Sequence, residues 1–80
     1  MTLALEQIDP ARNRFRIYRI TVCHDLFGAL CLFIEWGRRG RRLRARSEVF
    51  NDRQARDERL VELLAIRRRH GYVGGPLLTA

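Results

Sequence analysis

Apolar and polar positions alternate through roughly the first fifty residues, then give way to a period near 3.6. Leu3, Leu5 and Ile8 fit a short first strand over Leu3–Ile8. Asp9-Pro10 closes it, because proline lacks an amide donor and biases its predecessor to extended geometry. Ala11–Arg14 reads as a polar, basic turn. Phe15–Cys23, rich in aromatic and β-branched residues, predicts a second strand. Tyr18, Ile20 and Val22 share one of its faces, and Phe15, Ile17, Arg19 and Thr21 the other. His24–Gly28 reads as a hairpin connection. Ala29–Trp36 predicts a third strand, apolar on both faces, and so expected to be central and at least partly covered on both sides. Gly37-Arg38-Arg39-Gly40 predicts a tight turn, and Arg41–Phe50 a fourth strand.

A helix follows. Asn51 is the expected N-cap, with Gln54 completing a capping box and Asp52 in the first turn. Leu60, Leu63 and Leu64 form an apolar stripe that Val61 and Ile66 widen. Arg67-Arg68-Arg69 suit the last turn, Gly71 the C′ position, and Tyr72 a return onto the helix end. Gly74-Gly75-Pro76 is expected to release the chain, giving a domain over 1–73 and a flexible tail over 74–80. The order β-β-β-β-α with short links predicts an α+β fold: a small antiparallel sheet of four to five strands with one C-terminal helix packed on it.

Length and charge narrow the function. Eighty residues allow one small domain and leave no room for a large substrate cleft. No apolar run approaches the ~18 residues of a membrane span. Met1–Ile8 lacks the marks of a secretory signal, so a cytoplasmic location is expected. Sixteen basic residues against nine acidic give +7, and all sixteen are Arg. Codon preference accounts for Arg in place of Lys, but not easily for the excess over acids. A polyanionic partner is the first inference, because the guanidinium fork matches phosphate oxygens.

Two cysteines without a secretory signal do not make a disulfide framework, and Cys23 and Cys31 are expected to be buried free thiols. A zinc site would need Cys23, His24, Cys31 and His70 to converge, although adjacent Cys23 and His24 point to opposite faces of a strand. No nucleophile–base spacing and no phosphate-binding glycine loop is present. Asp9, Asp25 and Glu35 read as surface partners of arginines. No enzyme activity, cofactor, metal or small-molecule substrate is expected.

The unusual segment is Trp36-Gly37-Arg38-Arg39-Gly40-Arg41-Arg42. Its glycines permit a sharp turn and close approach, its guanidinium groups suit phosphates, and an indole can stack on a sugar or base. The competing reading makes Trp36 a core anchor and the arginines a solvated tip. Glu35-Trp36-Gly37-Arg38-Arg39-Gly40 resembles the signature of the WGR domain. Ile8-Asp9-Pro10, Asn13 and Tyr18-Arg19-Ile20 resemble that family's opening strands, and Arg67–Tyr72 its closing element. The resemblance covers about Leu3 to Val73 and implies a curved antiparallel sheet carrying one helix.

It also implies DNA binding near strand breaks, as in the poly(ADP-ribose) polymerases. Trp36 would stack at a break end, Arg38 would contact DNA, Gly37 and Gly40 would shape the turn, and Arg16 would add a basic contact. Arg39 departs from the small or β-branched residue common at its position. No transferase sequence accompanies the segment, so no NAD chemistry is implied. The expected site is therefore Trp36, Gly37, Arg38, Arg39, Gly40, Arg41, Arg42 and Arg16, and the expected partner is DNA, with RNA as a variant. The competing function is a protein-interaction module or homodimer, supported by Phe27, Phe33 and Leu77-Leu78. A membrane surface is the weakest partner, because the helix face is of mixed charge. Tyr72 is expected to pack the helix end, His24 and His70 to lie at the surface, and Arg67–Arg69 to compensate the helix dipole or supply a second phosphate contact. Arg53, Arg56 and Arg59 are expected to pair with acids along the helix.

Overall fold

Period-two patterning becomes a five-stranded antiparallel sheet with one helix across one side, in a computed structural model that describes residues 1–76. The strands are β1 (Thr2–Asp9), β2 (Arg14–His24), β3 (Leu30–Arg38), β4 (Arg44–Phe50) and β5 (Val73–Pro76); the helix is α1 (Arg53–Arg69). Their order across the sheet is β4-β3-β2-β1-β5. A single 3-10 turn, Pro10–Arg12, links β1 to β2 and ends at Asn13 in the left-handed conformation.

The pairing register explains the core. Leu5 lies opposite Tyr18, Ile20 opposite Ile34, and Val22 opposite Leu32. These paired apolar side chains therefore share one side. Leu5, Tyr18, Ile20, Leu32 and Ile34 form the buried cluster with Leu63 and Tyr72, and Val22, Trp36, Phe50, Leu60 and Leu64 pack against it. Each fully buried aliphatic side chain contributes about 1.5–3 kcal/mol. Among the described residues no helix covers the other side of the sheet, so β3 is covered on both sides only in part. Cys31 is buried there, but Phe33 remains 37% exposed.

The helix starts one residue later than expected. Asp52, not Asn51, is the N-cap, and its carboxylate accepts from the Ala55 N–H at 2.8 Å. The chain needs both residues to turn out of β4, and a carboxylate suits the positive end of the helix dipole. Gln54 donates to Glu58 and builds no capping box. Val61 is largely exposed and lies off the buried stripe. Arg56 pairs with Asp57 and Arg59 with Glu62, but Arg59 also crosses to β4, where its Nε donates to Glu48 at 2.8 Å. Asp9 and Glu35 pair with Arg12 and Arg19, whereas Asp25 accepts from the Phe27 and Ala29 N–H groups inside its hairpin.

The helix closes as expected. The Tyr72 N–H donates to the Arg67 carbonyl and the Gly71 N–H to the Arg68 carbonyl, with Gly71 at φ 87°. That turn reverses the chain along β1. Gly74, Gly75 and Pro76, expected to open a loose tail, instead belong to β5, which pairs with Leu3–Glu6. Residues 77–80 of the expected tail, including Leu77-Leu78, lie outside the described residues. Gly74 has φ 136°, and a Cβ there would collide with the Ala4 carbonyl oxygen, whereas a Cβ at Gly75 meets nothing.

Gly74→Ala is thus expected to destabilise the fold by about 1–3 kcal/mol in urea unfolding, and Gly75→Ala by much less. Equal effects would show that the close approach of β5 to β1 carries no weight. The Arg59 hydrogen bond holds the Glu48 carboxyl below its ordinary value of 4.5. Its stabilisation is present above that pH and fades as pH falls through the lowered value. Glu48→Gln should cost about 0.5–1.5 kcal/mol at neutral pH and flatten the acid limb of the stability curve, and parallel acid limbs would refute the assignment.

Candidate nucleic-acid interface

The last turn of helix α1 meets one end of the side that it covers. At that end β2 and β3 place Tyr18 opposite Trp36 and Arg16 opposite Arg38. A cavity of about 420 Å³ opens there, lined by Arg16, Trp36, Gly37, Arg38, Arg67 and Tyr72. Three of the six are arginines and none is acidic. Like charges directly opposite one another across a ladder are unfavourable unless an anion relieves them. Among the described residues the ion pairs of the chain use Arg12, Arg19, Arg46, Arg56 and Arg59, and none uses Arg16, Arg38 or Arg67.

Trp36 is both anchor and surface. It packs against the buried cluster yet remains half-buried at the cavity, with the Arg46 guanidinium 5.8 Å from its ring centroid. Next to it, a Cβ at Gly37 would come within 3.1 Å of Leu43 Cδ2, so the glycine lets the β3–β4 link fold back closely. Arg38 is held by the opening turn. It donates to the Asn13 carbonyl and to Asn13 Oδ1, both at 3.0 Å, and lies over the Phe15 ring at 5.4 Å. Two contacts leave other guanidinium donors free for an anion.

Arg67 reaches the same place from the helix. Its guanidinium lies 4.3 Å from the Tyr18 ring centroid and 5.8 Å from that of Tyr72, and the two tyrosines meet edge to face. Among the described residues its Nε and the Tyr18 hydroxyl are buried without a protein partner. Tyr72 packs the helix end as expected and lines the cavity as well.

Of the residues singled out in the sequence, Trp36, Gly37, Arg38 and Arg16 come together here. Arg39, Gly40, Arg41 and Arg42 do not line the cavity. They stand exposed in the link beside it, and β4 begins at Arg44, later than the expected Arg41. The Arg39 N–H donates to the Phe15 carbonyl at 2.6 Å, so the end of β3 stays with β2 while pairing to β4 starts only at Trp36 opposite Arg44. Arg46 has no place in the site expected from sequence, and Arg67 has one only as a member of the Arg67–Arg69 group offered as dipole compensation or a second phosphate contact. Arg67 had a usable signal, since it falls four residues after Leu63 and three after Leu64 and so continues the buried stripe.

Among the described residues no three His, Cys, Asp or Glu side chains gather as a metal site requires, and no helix is long and apolar enough to cross a membrane. The WGR domain model matches residues 1–75. The chain is 33% identical over 76 residues to the uncharacterized protein y4dW of Sinorhizobium fredii (strain NBRC 101917 / NGR234), covering 95% of this chain and 37% of that protein. The chain thus spans little more than a third of that relative's length. No solved structure matches.

Arg38→Lys keeps the charge but cannot reproduce the forked contact with Asn13. It should cost about 0.5–1 kcal/mol in chemical denaturation. Unchanged stability would mean that the turn does not hold this side chain in solution.

Proposed function

The chain belongs to the WGR domain family, a non-catalytic family of nucleic-acid-binding modules, and we propose that it binds DNA through the Trp36–Arg38 end of the sheet without catalysing a reaction. The observation that carries this reading is the cavity in which Arg16, Arg38 and Arg67 meet Trp36 with no acid among the lining residues. Backbone phosphates would satisfy the opposed arginines, and the half-buried indole would support a sugar or terminal nucleotide. Arg39, Arg41 and Arg42, exposed in the adjoining link, would extend the phosphate track. Preference for a nicked or broken end is part of the same proposal and rests on the family resemblance.

Fluorescence anisotropy with intact duplex, nicked duplex, single-stranded DNA and RNA across a salt series tests the proposal. About five phosphate contacts give a slope of log K against log salt near −4 to −5. Trp36→Ala should abolish preference for the nick, and Arg16→Ala or Arg67→Ala should each reduce the slope by about one. Affinity that hardly changes with salt would overturn the reading.

A second reading, self-association, draws on Leu26 and Phe27, which are 100% and 95% exposed at the β2–β3 tip, and on Phe33 of the uncovered side. Trp36→Ala leaves a dimer intact under that reading, which sedimentation velocity distinguishes.

A further inference from the structure

The uncovered side of the sheet holds a feature that nucleic-acid binding does not use. Cys23 on β2 lies directly opposite Cys31 on β3, and their Sγ atoms are 3.0 Å apart. Directly opposed residues of an antiparallel pair have Cα atoms about 4.5–5.5 Å apart, within the range that a disulfide spans. The sulfurs need to close by only about 1 Å to reach bonding distance. The hairpin between them is braced, because Asp25 Oδ1 accepts from both the Phe27 and the Ala29 N–H at 2.9 Å. Beside the pair lies a cavity of about 410 Å³, lined in part by Thr21, Phe33 and Ser47, into which both cysteines open. A small oxidant has access there.

We propose that Cys23 and Cys31 form a modification site, a dithiol that low-molecular-weight disulfides of the glutathione type oxidise to a cross-strand disulfide between β2 and β3. The order of events follows from burial. Cys31 is 3% exposed, whereas Cys23 is half-buried, so Cys23 meets the oxidant first. The hydrogen bond with Cys23, burial and nearby negative charge push the Cys31 thiol up to about 11, so Cys31 is protonated at neutral pH. Cys23, as thiolate, attacks the oxidant disulfide and releases one glutathione thiolate, leaving a mixed disulfide. Cys31 then gives up its proton, attacks the Cys23 sulfur and expels the second glutathione. Two protein thiols are oxidised, one external disulfide is reduced to two thiols, and the two protons pass to the leaving groups.

The pair lies on the side of the sheet opposite the Trp36 cavity and ~17 Å along β3 from Trp36 at the ordinary strand rise. Oxidation therefore staples the hairpin end without touching the arginines.

The test treats the reduced full chain with excess glutathione disulfide, quenches with acid, and reads intact mass and free thiols. The expected product is a monomer lighter by about 2 Da with both thiols lost. Cys31→Ala should stop at an adduct of one glutathione on Cys23, and Cys23→Ala should remain largely unmodified. The proposal is overturned if both thiols of the folded chain stay titratable, or if the wild-type chain accumulates as a glutathione adduct or an intermolecular dimer. The wild-type mass decides the matter even where a variant fails to fold.

Discussion

The register between β2 and β3 is the constraint on which the rest of the molecule depends. Side chains alternate along a strand with a period of two, so one pairing decides every facing position at once. With Tyr18 opposite Trp36, the chain buries Ile20, Ile34 and Leu32 under the helix. The same pairing puts Arg16 and Arg38 side by side at the end that the last turn of the helix meets. A slip of one residue would expose the core and dissolve the basic cavity together. Stability and site are therefore two results of one alignment.

The local chemistry at that end reflects a compromise. Opposed arginines are unfavourable in the free protein, yet neighbouring groups spread and hold their charge. Arg38 is tied to Asn13, and Arg67 lies over two tyrosine rings. Cation–π contact and hydrogen bonding fix the guanidinium groups without neutralising them, as an ion pair would. The acids of the chain are spent elsewhere: Glu48 joins helix to β4 through Arg59, and Asp52 caps the helix. This separation leaves a positive concavity whose side chains are already held in place, as the proposed contact with DNA requires.

Much of this was legible because it follows from periodicity and local chemistry. The faces of β2 and β3, the leucine stripe and the Gly71-Tyr72 closure are short-range signals, and each appears where the pattern placed it. What was missed depends on contacts between distant residues. β5 consists of Val-Gly-Gly-Pro, which has no period to read; it forms because the helix-closing turn delivers it to the free edge of β1. The clamp on Arg38 joins residues 25 apart in sequence, across a turn that looked merely polar. Arg67 looked like one of three equivalent helix-end cations until the helix phase singled it out. The second face of β3 is covered only in part, for another reason. An apolar second face can belong to a surface, and here it belongs to the side that holds Phe33 and the two thiols.

The two sides of the sheet thus have separate chemistries joined by the same pair of strands. One side holds the apolar core under the helix and ends in a basic cavity edged by aromatic rings. The other is open, largely neutral and carries sulfur near the opposite end of the same hairpin. Because β2 and β3 run through both, any covalent link at the Cys23–Cys31 rung restrains the strands that position Trp36 and Arg38, without contributing an atom to the cavity. Such a restraint would act on the register, the feature that core and site share.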